Sequence, residues 1–413
     1  MTQKSRFPLI LMIALSITPV LCIHFPRFLA FWPLLIGLAS CLWLIFINKQ
    51  RVFRVSRLYF ACAGVISGLC LLSSLWSIAP ARSLHEALVV CALLFFGGIL
   101  ISSFKSLDFK EIKPYGWMFP LGVMIAALLC VADIYAGLPL YEITHSKIPI
   151  NTAVMNRGVI FCVLAYFLSL LFIYGLEWKT SCKILLAVTC GACVVLMLAF
   201  SQSQAAQLSF VFGLVLLATF PARWRFSYLA VGLVLLGAML LTPFIVDYLY
   251  EFMVNNQAVL SGEDAHSWLR QAYIGNRIEI WNFVMEYAMN NPFYGHGIEA
   301  TKFVDHFDHA HLYNEMSTVL HPHNFSVQLW VEFGLAGIVT AVGVFCVFLI
   351  TLYRIDDIFV RQASSVIFLM TLLIASMTYG IWQGWWIGMI LFLCAGTCLV
   401  SRSDLTSFLG KQD

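Results

Sequence analysis

Residues 184–220 read ILLAVTCGACVVLMLAFSQSQAAQLSFVFGLVLLATF, two apolar runs that meet at Ser203-Gln204 and contain no charged side chain. A helix needs roughly 20 apolar residues to cross about 30 Å of hydrocarbon. The stretch therefore reads as two adjacent spans, 184–201 and 205–220, in a tight hairpin. The same ruler gives twelve spans in all: 7–23, 28–47, 58–76, 85–104, 115–136, 157–176, 184–201, 205–220, 226–246, 324–352, 363–380 and 385–400. Composition agrees: the chain has 413 residues, 61% hydrophobic and 11% charged, with mean hydropathy +0.88. Soluble globular chains run near 45–50% apolar and about 25% charged. Only lipid tolerates such an excess, so disordered, collagen-like and small disulfide-bonded classes are excluded. The net charge of +3 is too mild to argue for nucleic acid. The expected fold is all-α: a polytopic membrane protein of about 12 transmembrane helices.

The division that follows is 1–246 with spans one to nine, 247–323 as a mostly helical outer segment, and 324–413 with the last three spans and a tail. Lys4 and Arg6 before Phe7–Ile23 imitate a signal peptide, but no small-x-small cleavage site follows, and an uncleaved first span is expected. The 13 cysteines belong to the apolar runs and propose no disulfide framework in the outer segment. Counting Lys and Arg by alternate loops sets the orientation. Seventeen of the 24 fall on one side, from Lys4 and Arg6 through Arg223 and Arg225 to Lys411. That side is expected to be cytoplasmic, with both termini inside and 247–323 outside.

All 10 histidines then lie outside or at outer helix ends: His24, His85, His145, His266, His296, His306, His309, His311, His321 and His323. Polar chemistry is thus expected on the outer face. Asn276-Arg277-Ile278-Glu279 looks like a capping box opening a helix that runs to Asn290-Asn291-Pro292, with Arg277 and Trp281 on one face. Arg277 suits a two-point grip on phosphate oxygens; its plain alternative is a helix arginine paired with a nearby acid. At the re-entry stands His321-Pro322-His323-Asn324. A neutral histidine there can take a proton from a sugar hydroxyl, with Asn324 orienting the ring or holding a hydroxyl. Blandly, the run is a proline-containing helix start. The mixture Asp305-His306-Phe307-Asp308-His309-Ala310-His311 fits no standard metal spacing, so no metal is expected. Glu332 is the one acid inside an apolar run, but 324–352 overshoots the hydrocarbon, so Glu332 is expected in the outer part.

His323-Asn324, nine further residues, then Gly334-Leu335-Ala336-Gly337 resembles the signature of the bacterial O-antigen ligase family, within the O-antigen ligase/polymerase superfamily. Trp76-Ser77-Ile78-Ala79-Pro80 with Ser83 is similar to the family's Trp-Ser turn. Arg277, Trp281, Pro292 and Gly295-His296-Gly297 resemble its outer helix and turn. The resemblance implies a periplasmic active site in the bacterial inner membrane. It also implies inverting transfer of a glycan from undecaprenyl diphosphate to lipid A–core in lipopolysaccharide biosynthesis, without cofactor or metal, and a layout like other lipid-carrier-dependent membrane glycosyltransferases. Carried over, His323 is the base or acceptor-positioning residue and Arg277 a diphosphate contact, with Trp281, His321 and Asn324 beside the substrate. Family members often carry Arg where this chain has Gln204; Arg157 or Arg270 is expected to supply that charge. Trp76, Tyr141 and Trp281 are expected to anchor at the interface or stack on sugars.

The same residues suit an O-antigen polymerase or a protein-directed oligosaccharyltransferase, which differ in acceptor. A lipid or solute transporter would carry ionisable groups near the midplane, which this sequence lacks.

Overall fold

The computed structural model describes residues 3–48, 54–149, 151–256, 274–304 and 321–401. Among them every regular element is helical. In chain order these are α1 (Gln3–His24), α2 (Trp32–Leu42), α3 (Arg57–Ser73), α4 (Pro80–Ser106), α5 (Phe109–Ile112), α6 (Met118–Tyr135), α7 (Pro139–His145), α8 (Asn156–Gly175), α9 (Thr180–Phe200), α10 (Gln204–Thr219), α11 (Arg225–Leu240), α12 (Thr242–Asn255), α13 (Ile274–Ala288), α14 (Phe325–Tyr353), α15 (Ile358–Ala375) and α16 (Gly384–Val400).

Each of the twelve apolar segments overlaps a helix or a joined pair, but the expected span 363–380 is shifted: its helix is Ile358–Ala375, and 376–380 belong to a link. Seven described helices are long and apolar enough to cross a membrane, or up to 8 if the α11–α12 pair, bent by 63°, is one span. Trp32–Ile47, α3, α10 and α16 are apolar but shorter. The bend falls at Leu241, where Pro243 opens the next helix; proline cannot donate to the preceding turn.

Burial sorts centre from rim. The stretch Thr152–Gly175, which carries α8, is 89% buried, whereas α9 is 28% buried. A helix apolar all round with every face covered is a hub; α8 packs against α1, α6, α9, α10, α15 and α16. The exposed side chains of α9, such as Leu185, Val188 and Val195, face where lipid belongs. With little hydrophobic drive between helices in lipid, close contact must come from small residues: a Cβ at Gly122 of α6 would sit 2.0 Å from the Ser16 carbonyl oxygen of α1.

At the end of the bundle where α8, α10, α14 and α16 begin, polar contacts close the loops. Buried His24 ends α1 and bonds the Asp133 carboxyl of α6 at 2.8 Å. Asp133 also accepts the backbone N–H of Leu140 at 2.8 Å and of Tyr141 at 3.2 Å, which seats α7. All 13 cysteines are free.

The decisive local feature is a break in α14. Gly334 has φ 58 and ψ −147, a region essentially reserved for glycine. The break frees backbone groups, and the 292–297 turn takes them up. Leu335 N–H donates to Pro292 O at 2.8 Å and Ala336 N–H to Phe293 O at 3.0 Å, while His296 N–H and Gly297 N–H donate to Val331 O at 2.9 Å and Glu332 O at 2.8 Å. The turn docks so tightly that a Cβ at Gly295 would lie 2.4 Å from the Glu332 carbonyl carbon.

The α3–α4 turn locks onto the same unit. Trp76 Nε1 donates to Tyr294 O at 3.1 Å, Ile78 N–H to His296 O at 3.2 Å, and Ser83 Oγ to Ile298 O at 2.6 Å. Ile298 N–H returns to Ser73 Oγ at 3.2 Å. Trp76, expected to anchor at the interface or stack on a sugar, bonds a neighbouring turn through its indole N–H and keeps its ring partly exposed. Glu332 lies on the N-terminal side of the break.

Two expectations are corrected here. α13 includes Asn276, which is therefore within the helix rather than its N-cap. Asn324 is an N-cap: its side chain accepts from Ser326 N–H at 2.9 Å and Val327 N–H at 3.3 Å, so it does not orient the histidine ring.

Replacing Gly334 by Ala should destabilise the protein by more than about 2 kcal/mol. The new Cβ would meet Pro292 O at 2.5 Å in a backbone conformation that side chains avoid. The expected outcome is a clearly lowered melting temperature in detergent; an unchanged one would mean the break is not required.

Candidate functional site

α13 and α14 approach each other beside the outer turn. One face of α13 carries Arg277 and Trp281, four residues apart as a helix requires. Trp281 Nε1 donates to Pro322 O at 2.6 Å, which holds the histidine segment against α13. His323 has φ 55, an uncommon conformation for a side chain of this size. The left-handed turn before the Asn324 cap swings its ring toward the α15–α16 link, where Nδ1 donates to Thr378 O. A carbonyl only accepts, so Nδ1 carries the proton and the neutral ring leaves Nε2 as an acceptor.

The rings of His321 and His323 stand 4.3 Å apart. His321 is wedged against the link: a Cβ at Gly380 would lie 3.3 Å from its ring. Its Nε2 is buried with no hydrogen-bond partner among the described residues.

Arg157, near the start of α8, brings a second guanidinium. It lies 5.5 Å from the Trp385 ring centroid and 6.0 Å from that of Tyr379, within cation–π reach. Tyr379 feels the charge of both Arg157 and Arg277. Among the described residues, neither arginine is paired with a carboxylate. Lys302 adds positive charge near His321, although Glu299 neutralises part of it.

The electrostatics follow from burial and this excess of cations. Burial lowers the Arg277 pKa from its ordinary value, against the pull of Tyr379. Burial first, then His323, Lys302 and Arg157, push His321 down to about 4. His323 is lowered by burial, with the Thr378 carbonyl opposing and Arg277 adding to the effect. Burial carries the Tyr379 hydroxyl up to about 12, although both arginines pull it down. The arrangement is two neutral imidazoles within a cationic rim: an anion is attracted while a base stays unprotonated near neutral pH.

Of the residues singled out from sequence, Arg277, Trp281, His321, His323 and Arg157 gather here. Asn324 is present as a cap. Gln204 is half-buried and opens α10, at the same end of the bundle. Arg270 and the Asp305–His311 cluster lie outside the described residues. His296 is a structural group: its buried ring contacts Tyr287 O at 3.1 Å, and burial lowers its pKa.

Sequence reading missed Thr378, Tyr379 and Trp385. The signal available was the run Thr378-Tyr379-Gly380-Ile381-Trp382-Gln383, polar and aromatic between two apolar spans.

Residues 185–342 match the family described as O-antigen ligase, a stretch that holds Arg277 and His323 but neither Arg157 nor Tyr379. A Rickettsia bellii (strain RML369-C) protein named "Putative polysaccharide ligase" is 24% identical over 353 residues, covering 83% of this chain and 80% of its own. A like-named Rickettsia typhi (strain Wilmington) protein is 25% identical over 334 residues, 77% of this chain and 75% of its own. The Rickettsia prowazekii (strain Madrid E) counterpart is 24% identical over 329 residues, with the same coverage of 77% and 75%. The chain is thus an all-helical, multi-pass membrane protein that is similar to the O-antigen ligase family over the stretch holding its histidine and its arginine.

Proposed function

We propose that the protein is an O-antigen ligase-type glycosyltransferase that moves a glycan from undecaprenyl diphosphate to a sugar hydroxyl of lipid A–core. In this reading it lies in the bacterial inner membrane with both termini cytoplasmic and the site periplasmic. The observation that carries the reading is the convergence of Arg277 and Arg157, neither with a carboxylate partner among the described residues, on a neutral His323 whose proton is held at Nδ1.

In the reaction the acceptor oxygen attacks the anomeric carbon, and the bond from that carbon to the diphosphate oxygen breaks. The electron pair leaves with undecaprenyl diphosphate, and the hydroxyl proton passes to His323 Nε2. Attack opposite the leaving group inverts the anomeric centre. Charge grows on the diphosphate as the bond breaks, so the catalyst's main task is to stabilise anionic oxygens. Arg277 does this with a planar fork, and Arg157 supplies the second cation in place of the arginine replaced by Gln204. A C55 prenyl tail needs an opening toward lipid, and the exposed apolar faces of α9 and α10 offer one.

The test is transfer by purified protein from a defined undecaprenyl-diphosphate glycan, with lipid A–core, a second donor chain and a protein acceptor in competition. Preference for lipid A–core supports the ligase reading. Preference for the second donor chain would make the protein a polymerase, and preference for protein an oligosaccharyltransferase.

Changing His323 to Ala should lower the transfer rate by at least about a hundredfold while the protein stays inserted and abundant; normal lipopolysaccharide ladders in cells carrying that variant would refute the assigned base. Arg277→Lys should lose about tenfold or more, since an ammonium cannot make the planar two-point contact; wild-type turnover there would reduce Arg277 to a structural role. Because His323 is held below its ordinary value of 6.5, kcat/KM should be flat from neutral pH down to about 6.5 and fall only below it. An acid limb centred above pH 7 would contradict that environment.

A further inference from the structure

His323 is positioned by one backbone carbonyl, Thr378 O, so whatever holds the 376–383 link in place also controls the ring. That link has no helix of its own, and its anchors come from the outer part of α14, one and two turns beyond His323. Gln328 Oε1 accepts the Ile381 N–H at 3.0 Å. Gln328 Nε2 donates to Glu332 Oε1 at 2.9 Å, and Trp382 Nε1 donates to Glu332 Oε2 at 2.5 Å. Glu332 is completely buried and Gln328 nearly so. A buried acid is costly unless hydrogen-bonded and is rarely kept without use.

Both anchors therefore grip the same short link that presents Thr378 O to His323, Tyr379 to the two arginines, and Gly380 to His321. The Phe333 ring stacks edge-on against Trp382 at 5.8 Å, closing the network from the side of the helix break.

We infer that Gln328, Glu332 and Trp382 form a positioning network for the base: by holding the 376–383 link they fix Thr378 O, and through it the proton-bearing nitrogen and the aim of the His323 ring. The inference rests on the reading of His323 as the base. None of the three side chains touches the reacting atoms. Their effect falls on turnover rather than on donor binding, because the ring is correctly placed only while the link is seated.

The amide and the acid are complementary in a way that permits a strict test. Exchanging them, Gln328→Glu with Glu332→Gln, keeps the contacts that the two side chains make with each other, Ile381 and Trp382. The carboxylate at 328 accepts both the Ile381 N–H and the new amide N–H at 332, whose oxygen accepts from Trp382. Each single change instead sets two acceptors or two donors against each other.

The experiment is the in vitro transfer assay on purified, folded protein, reading kcat, donor KM and the pH profile for wild type, Gln328→Glu, Glu332→Gln, the double exchange, Trp382→Phe and His323→Ala. The singles and Trp382→Phe should lower kcat about tenfold or more with donor KM within about threefold. The double exchange should recover to within about threefold of wild type.

The acid limb should move as well. His323 is faced by Arg277 and His321, with Arg157, Lys302 and Tyr379 beyond, and Thr378 O alone among these opposes the lowering. Loosening that carbonyl should shift the limb to lower pH, whereas a merely structural loss would reduce the rate without moving it. Full kcat in the singles, with His323→Ala inactive, would overturn the network and leave the base reading intact. No recovery in the folded double exchange would overturn it too. An active His323→Ala would overturn both.

Discussion

A membrane helix that stops bonding to itself must find other partners for its backbone, because lipid offers none. At Gly334 the helix does stop, and the turn 292–297 supplies two acceptors and two donors in exchange. This exchange is what the rest of the outer structure depends on. It ties the 292–297 turn to α14 by main-chain hydrogen bonds, to which the α3–α4 turn adds side-chain ones. It also leaves the nine residues before the break, Phe325–Phe333, as a separate outer rod that carries Asn324, Gln328 and Glu332 at known angles. The Trp76–Ser83 turn then clamps the same loop from the other side. These motifs, distant in sequence, are parts of one joint.

Upon that joint sits a site with an unusual charge balance. Two guanidiniums lack carboxylate partners among the described residues, a phenol and an indole lie against one of them, and two imidazoles beside them are kept neutral by burial. Desolvation strengthens the attraction of a cation for an incoming anion, and the same desolvation keeps the histidines from competing for it. One environment thus suits both halves of the proposed group transfer, which needs a leaving anion held and a base preserved. The left-handed turn at His323 belongs to this economy, since strained backbone tends to persist where the surrounding structure over-determines it.

The α15–α16 link connects the two. It is anchored on the outer rod by Gln328 and Glu332 and returns Thr378, Tyr379 and Gly380 to the imidazoles. Its short length makes it precise, because both ends are held by helices packed on α8.

Much was legible in the sequence. Hydrocarbon thickness and the length of each apolar run determined the helices within a few residues, the hairpin at Ser203-Gln204 included. The types of residue at Arg277 and His323 determined the chemistry sought. Other features depended on contacts between residues far apart in the chain. Period and hydropathy run smoothly through Gly334, so the break is invisible until a turn 40 residues earlier docks into it. Asn276 has the right neighbours for a cap, yet the helix begins before it. Tyr379 and Thr378 are uncharged residues in a short link, 55 or more positions from the histidine beside them, and only a brief polar and aromatic run marks them. The sequence by itself determined which segments leave water and which side chains can grip an anion or take a proton. Only the tertiary structure decided which carbonyl orients the ring and which backbone groups replace those lost at the break, because a hydrogen bond is satisfied by position in space and sequence spacing does not encode it.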